Sequence, residues 1–286
     1  MAIEDNLSPP LEAPADAAAP EVRELSPAIG VEVRGIDLAR PLEEAVFRQI
    51  RRAWEENGVV LFRGQQLSAI KQIRVASRFG SLSKTELGPP AVLEVGNIRD
   101  ARGMSGILPE GAIDFHSDQS YLDEPSIATM LYALDVPPTG GNTLFGNGFR
   151  AYETLSEDVR EQLSDRCALH LYDYETNPTR RPQHPPANAK QAVHPIFRVH
   201  GPTGRRALYV NRLMTWSILG MDPAESRRTL DFLFDHQERA DFVYEHCWQP
   251  GDLVLWDNRS CIHARTDFDA GDRRRLRRVT VLDDRP

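Results

Sequence analysis

Beyond residue 58 the hydrophobic sequence is broken into short runs, and this feature narrows the fold most. Gly58-Val59-Val60-Leu61-Phe62, Ile127 to Leu134 and Asp252 to Trp256 are each too brief for a helix that buries a single stripe. Apolar runs of that length, rich in β-branched and aromatic residues, predict strands covered on both faces. Ala91 to Asn97, Ala207-Leu208-Tyr209-Val210-Asn211, Phe242 to Cys247 and Arg277 to Leu282 add further extended segments, and Ile29 to Val33 alternates as a strand does. Helical spacing recurs over Glu43 to Glu56, where Val46, Ile50 and Trp54 share a face, and over Leu67 to Phe79, with Gly80 expected as its C-cap. It recurs over Glu225 to Gln237, preceded by Asp222 and by Pro223 at an N1-like position, with Leu230, Leu233 and Phe234 on one side. No internal repeat is visible. The pattern predicts a mainly β barrel or sandwich with flanking helices.

The chain of 286 residues, 41% of them hydrophobic, suffices for one sizeable core, and we expect a single domain over residues 23–286. Residues 1–22, rich in Pro, Ala and acids, read as a tail. The stretch 173–194 contains Pro178, Pro182, Pro185 and Pro186 and is irregular enough to suggest a lid. A formal net charge of −8 argues against a protein that coats nucleic acid or an anionic membrane surface. No apolar run nears the roughly eighteen residues of a membrane span. Glu4 and Asp5 stand where a secretory leader would be basic, so a cytoplasmic location is expected. Cys167, Cys247 and Cys261 are odd in number and lack CxxC spacing, as free thiols would be.

His116-Ser117-Asp118 carries an imidazole and a carboxylate at the period of a strand, so both face one side. In a chain with eight histidines such a doublet arises by chance, and a plain hydrogen bond between the two would account for it. Much later, Trp256-Asp257-Asn258-Arg259 is followed by His263 and by a basic run containing Arg274 and Arg278. Two His and one carboxylate leave open positions on a non-haem Fe(II) ion. The same ligands suit zinc in a metal-dependent hydrolase. A non-catalytic barrel that binds a small acid through its arginines is a third option. The remaining histidines (His170, His184, His194, His200, His236 and His246) read as scattered over loops and polar faces, with His194 a candidate to brace the lid.

From about Ser26 to Asp284 the ordered motifs resemble the Fe(II)/2-oxoglutarate-dependent dioxygenases of the taurine dioxygenase and 2,4-dichlorophenoxyacetate dioxygenase group. They run from Gly58-Val59-Val60-Leu61-Phe62-Arg63-Gly64-Gln65 through Arg78-Phe79-Gly80, His116-x-Asp118 and Pro138-Thr139-Gly140-Gly141-Asn142-Thr143. His194-Pro195 through Gly204, Tyr209-Val210-Asn211, Trp256 to Arg259 with His263, and the arginine run complete the order. The resemblance implies a double-stranded β-helix, a jelly-roll of cupin-like form. It implies Fe(II) held by His116, Asp118 and His263, with 2-oxoglutarate and O2 as co-substrates.

By the same resemblance, Thr143 and Arg274, eleven residues after His263, hold the distal carboxylate of 2-oxoglutarate. Arg278, fifteen after His263, meets the acidic group of the primary substrate. Asp118 favours hydroxylation over halogenation, because related halogenases have a small residue there. Gln119 and Tyr121 are expected to border the substrate pocket, and Lys84 is a candidate cation for it. Ser83-Lys84-Thr85-Glu86 lacks the histidine that helps hold sulfonate in taurine dioxygenase itself, and the implied partner is a small organic acid, carboxylate or sulfonate, with an aryloxyalkanoate as first choice. Succinate and CO2 would be released. Relatives often form homo-oligomers, so a dimer or tetramer is an option here.

Overall fold

Val59–Phe62 and Leu253–Asp257 lie antiparallel near the centre of an eight-stranded sheet. They do so in a computed structural model that describes residues 20–83, 92–98, 111–172 and 187–283. The strand order is Glu21–Glu24, Val31–Arg34, Val59–Phe62, Leu253–Asp257, Ala128–Asp135, Arg275–Leu282 and Ser81–Leu82, with Leu93–Gly96 also paired to Arg275–Leu282. Pairing is antiparallel except between Val31–Arg34 and Val59–Phe62. A second, four-stranded sheet runs Val243–His246, Thr143–Asn147, Cys261–Arg265 and Ile113–His116, all antiparallel. The two sheets form the double-stranded β-helix expected from the motifs.

Why the apolar runs are continuous follows from their two-sided burial. On the large sheet, Val60, Phe62, Met130, Leu253, Leu255, Val279 and Val281 pack with Phe47, Ile50 and Trp54 of the helix Glu44–Asn57. Their alternates Val59, Leu61, Leu131, Val254, Trp256 and Leu276 join Phe145 and Trp248 in a separate core. The helix Glu44–Asn57 ends because Gly58, at φ +74°, turns the chain and donates its N–H to Trp54 O. The helix Pro223–Gln237 starts as predicted, with the Asp222 side chain accepting from the backbone N–H of Ala224 and Glu225. Its Leu230, Leu233 and Phe234 cover a third core with Ile196, Phe197 and Leu208. No helix among the described residues is long and apolar enough to cross a membrane.

Several expectations are corrected. Glu21 and Val22, assigned to the tail, belong to the strand Glu21–Glu24, which pairs with Val31–Arg34; residues 1–19 lie outside the described residues. Gly80 is not a C-cap, since that helix spans Ala69–Ala76 and ends at Ser77. Glycine is needed at position 80 because a Cβ there would lie 2.4 Å from Leu282 O. The run from Ala207 to Asn211 is strand only through Leu208, because the Asn211 side chain accepts from Met214 N and begins a turn. Of the proposed lid, residues 173–186 lie outside the described residues, while Lys190–Pro195 is a strand paired with Cys167–Tyr172.

The histidines are also unlike their first reading. His170, His200 and His246 are fully buried and His194 nearly so; strand periodicity turns His170, His194 and His246 inward. His236 lies on the helix Pro223–Gln237 with Nε2 2.9 Å from Ala151 O, and His184 lies outside the described residues. His200 Nε2 sits 3.0 Å from Asp257 Oδ2. Arg259 donates to both oxygens of the same carboxylate, at 2.8 and 2.5 Å, and its guanidinium stacks over Trp54 at 5.1 Å. Asp257 is therefore an internal anchor that ties the loop after Leu253–Asp257 to the helical layer. Replacing it leaves a buried guanidinium unpaired, so Asp257→Ala should cost about 3–5 kcal/mol in urea unfolding; a change below about 1 kcal/mol would show that the network carries no such load.

Candidate metal centre

The register of the small sheet creates the centre. His116 closes the strand Ile113–His116 and pairs directly with His263 of Cys261–Arg265, which brings the two ring centroids to 4.1 Å. Past His116 the chain is pinned by Ser117, whose hydroxyl donates to Asn258 O at 2.5 Å. That turn carries Asp118 to the imidazoles, with Oδ1 3.8 Å from Nε2 of each. One donor atom from each of the three residues lies within 4.8 Å of the others.

The surroundings fix both orientation and charge. His116 Nδ1 is 2.9 Å from Asp114 O, so Nδ1 carries the proton and Nε2 presents a lone pair. Thr129 donates to Asp118 Oδ2 at 2.5 Å, and Asn258 Nδ2 donates to Thr129 Oγ1 at 3.1 Å. Asn258 Oδ1 accepts from Trp256 Nε1 at 2.9 Å, and Trp256 packs its ring 4.7 Å from that of His263. Burial pushes the pKa of His116 down and that of His263 well below its ordinary value, which keeps both neutral. Burial opposes ionisation of Asp118, but Arg278, His263, His116 and the Thr129 hydroxyl outweigh it and hold the carboxyl well below the usual range. Two neutral nitrogens and one anionic oxygen are what a divalent transition metal takes.

On one side stands Thr143, buried, with its Oγ1 accepting from Trp248 Nε1 at 3.0 Å. Arg274 is 2% exposed; its Nε donates to Gly141 O at 3.0 Å and its Nη1 has no partner. Burial, with repulsion from Arg265, brings this guanidinium down to about 9, the mark of a cation lacking an anion. Gly141 sits at φ +63°, and a Cβ on it would lie 3.1 Å from Arg274 Cδ and Nε. The Gly-Gly-x-Thr segment thus admits the arginine beside it.

Arg278 also reaches the centre, its Nη2 2.9 Å from Asp118 Oδ1. Gln119 adopts φ +59°, a conformation uncommon outside glycine, and its Oε1 is buried without a partner. Tyr121 stacks on Tyr172 at 5.3 Å in an apolar cluster with Leu213 and Met214. His194 Nε2 bonds Leu122 O at 2.9 Å and so braces the turn after the ligand pair. Lys84 lies outside the described residues. Thr129, Asn258 and Trp248 were not singled out beforehand. Asn258 lay inside a recognised motif, but no spacing rule marks a hydroxyl or an indole that acts on another side chain.

Comparison with known proteins agrees with this geometry. Residues 21–280 match the family described as Taurine catabolism dioxygenase TauD, TfdA family. An alpha-ketoglutarate-dependent 2,4-dichlorophenoxyacetate dioxygenase of Cupriavidus pinatubonensis is 34% identical, over 91% of this chain and 96% of that protein. A pentalenolactone F synthase of Streptomyces avermitilis is 33% identical, over 91% and 92%. The crystal structure of AAD-2 in complex with Mn(II) and N-oxalylglycine superposes with a TM-score of 0.80 at 28% identity, covering 94% of this chain and 99% of that one.

The support of Asp118 can be tested directly. Thr129→Val keeps shape and removes the hydroxyl, so Mn(II) affinity, read by electron paramagnetic resonance of the free ion, should fall about 10–100-fold. Unchanged affinity would mean that the hydroxyl contributes nothing to the ligand.

Proposed function

The chain belongs to the taurine catabolism dioxygenase TauD, TfdA family, and from that premise we propose that it hydroxylates a small organic acid at the His116, Asp118 and His263 centre. The Cupriavidus relative named above is an alpha-ketoglutarate-dependent dioxygenase, and Fe(II), 2-oxoglutarate and O2 are the cofactor and co-substrates of this class. The donor set fits the ion, with two neutral imidazoles and an ionised carboxylate converging within 4.8 Å. When bound, iron and 2-oxoglutarate supply the oxidant that inserts one atom of O2 into a C–H bond while succinate and CO2 leave.

The protein's own part is positioning. His116, Asp118 and His263 would hold the ion, and three protein donors would leave it able to take up reactants as well. Arg274, a buried cation with an unpartnered Nη1, and Thr143 receive the distal carboxylate of 2-oxoglutarate. Arg278, whose Nε is buried and unpartnered, takes the acid group of the primary substrate next to the metal ligands. Tyr121 follows Asp118 by three residues, and we assign its cluster with Tyr172, Leu213 and Met214 as the apolar side of the space for the body of that substrate. An anionic group and an apolar body together favour an aryloxyalkanoate, the class named for the Cupriavidus relative. The juxtaposition of Arg278 with Asp118 carries this reading. No observation favours the hydrolase alternative.

Purified protein should release succinate in step with loss of one acid from a panel of aryloxyalkanoates, sulfonates and other small acids, and only when Fe(II), 2-oxoglutarate and O2 are present. Asp118→Ala should abolish that coupling, whereas Arg278→Gln should raise KM for the acid about 10–100-fold with 2-oxoglutarate affinity retained. Acid turnover in the absence of oxygen would overturn the reading.

A further inference from the structure

We propose that Trp248 is a positioning residue for 2-oxoglutarate and that it acts through the hydroxyl of Thr143. This rests on the reading of Thr143 as a carboxylate contact. An indole N–H can only donate, so the 3.0 Å bond from Trp248 Nε1 commits the Thr143 oxygen as acceptor on that side. The single hydroxyl proton must then point elsewhere, and a carboxylate can only accept. Without the indole the hydroxyl would be free to rotate toward a carbonyl, and ordering it would weaken ligand binding.

The indole is itself held by a chain of buried groups that the reaction does not otherwise use. Trp248 is 8% exposed, and its ring stands nearly perpendicular to that of His246 at 4.5 Å. His246 is the register partner of Thr143 on the adjacent strand, which sets the imidazole and the threonine side by side. Its Nδ1 lies 3.1 Å from Tyr244 Oη and its Nε2 3.1 Å from Asp252 Oδ2. Burial lowers the pKa of His246, and its two ring nitrogens lie between the Asp252 carboxylate and the Tyr244 hydroxyl. Asp252 is fully buried and is fixed by Arg63 Nη1 at 2.7 Å and by Gln249 N at 2.9 Å. Arg63, itself partly exposed, belongs to the motif Gly58 to Gln65. The chain Arg63, Asp252, His246, Trp248, Thr143 gives that distant arginine a connection to the 2-oxoglutarate side of the site.

The test is anaerobic calorimetric titration of 2-oxoglutarate into Fe(II)-loaded wild type, Trp248→Phe, Thr143→Val and the double variant. Thr143→Val should raise Kd about ten- to a hundredfold and Trp248→Phe about three- to tenfold, because one bond reaches a charged group and the other a neutral one. In the Thr143→Val background, Trp248→Phe should add less than about twofold, since the indole has no hydroxyl left to orient. Fe(II) affinity and KM for the primary substrate should stay unchanged in Trp248→Phe, which loss of packing alone would not ensure. If Thr143→Val weakens binding while Trp248→Phe does not, or the two effects simply add, the inference falls and the carboxylate reading survives. If Thr143→Val has no effect, both fall. Should Trp248→Phe not fold, Zn(II)-loaded wild-type protein with 15N-labelled tryptophan provides the readout. The Trp248 indole signal should shift on adding 2-oxoglutarate and fail to shift in Thr143→Val; an unmoved signal in the wild type would overturn the proposal.

Discussion

A carboxylate kept ionised inside the protein is the constraint around which this molecule is arranged. Asp118 is 4% exposed, and burial alone would drive its proton back on. The fold opposes that with Arg278 from the last strand of the large sheet, the imidazoles of two paired strands and a hydroxyl from Ala128–Asp135. Each of these groups depends on strand register. A slip of one residue in any of the strands would turn its contribution to the opposite face.

Two further buried aspartates divide the remaining work. Asp257 joins Arg259 and His200 and stabilises the connection to the helical layer, while Asp252 joins Arg63 and His246 on the side of Thr143. Within the consecutive residues Trp256, Asp257, Asn258 and Arg259, alternation decides the roles. Trp256 and Asn258 turn to the metal centre, and Asp257 and Arg259 pair with one another on the other side. One short segment therefore serves both stability and chemistry, and substitutions at adjacent positions in it should have unlike phenotypes.

The strand-rich layout was legible in the sequence from residue type and period, while the double-stranded β-helix and the grouping of the candidate metal residues came from the ordered motifs. His116, Asp118 and His263 converge, and the three expected helices and most apolar strands lie within a few residues of their expected limits, whereas the helices Gly148–Glu153 and Glu157–Leu163 were not foreseen. The failures have a common physical origin. Buried histidines such as His200 and His246 were read as surface groups because a sequence lists a polar residue without its partner, whether that partner lies far along the chain, as Asp257 does from His200, or near, as Asp252 does from His246. Thr129 and Trp248 escaped notice for the same reason, since each acts on a side chain that sequence spacing does not connect to it. Gly80 was misjudged because a close approach to Leu282 O, like a C-cap, demands glycine, and only the fold distinguishes the two.

The order of strands carries a consequence for synthesis. Leu253–Asp257 lies between Val59–Phe62 and Ala128–Asp135, and Cys261–Arg265 lies between Thr143–Asn147 and Ile113–His116. Strands made late thus occupy interior places in both sheets. A chain emerging from the ribosome must hold their neighbours apart, with unpaired edges and uncovered apolar faces, until the last part of the sequence arrives to fill the gaps. Such long-range pairing folds slowly. This protein's exposure to aggregation and to chaperones should therefore be greatest while it is nearly complete, and competence to bind metal should come only with the final stretch of chain.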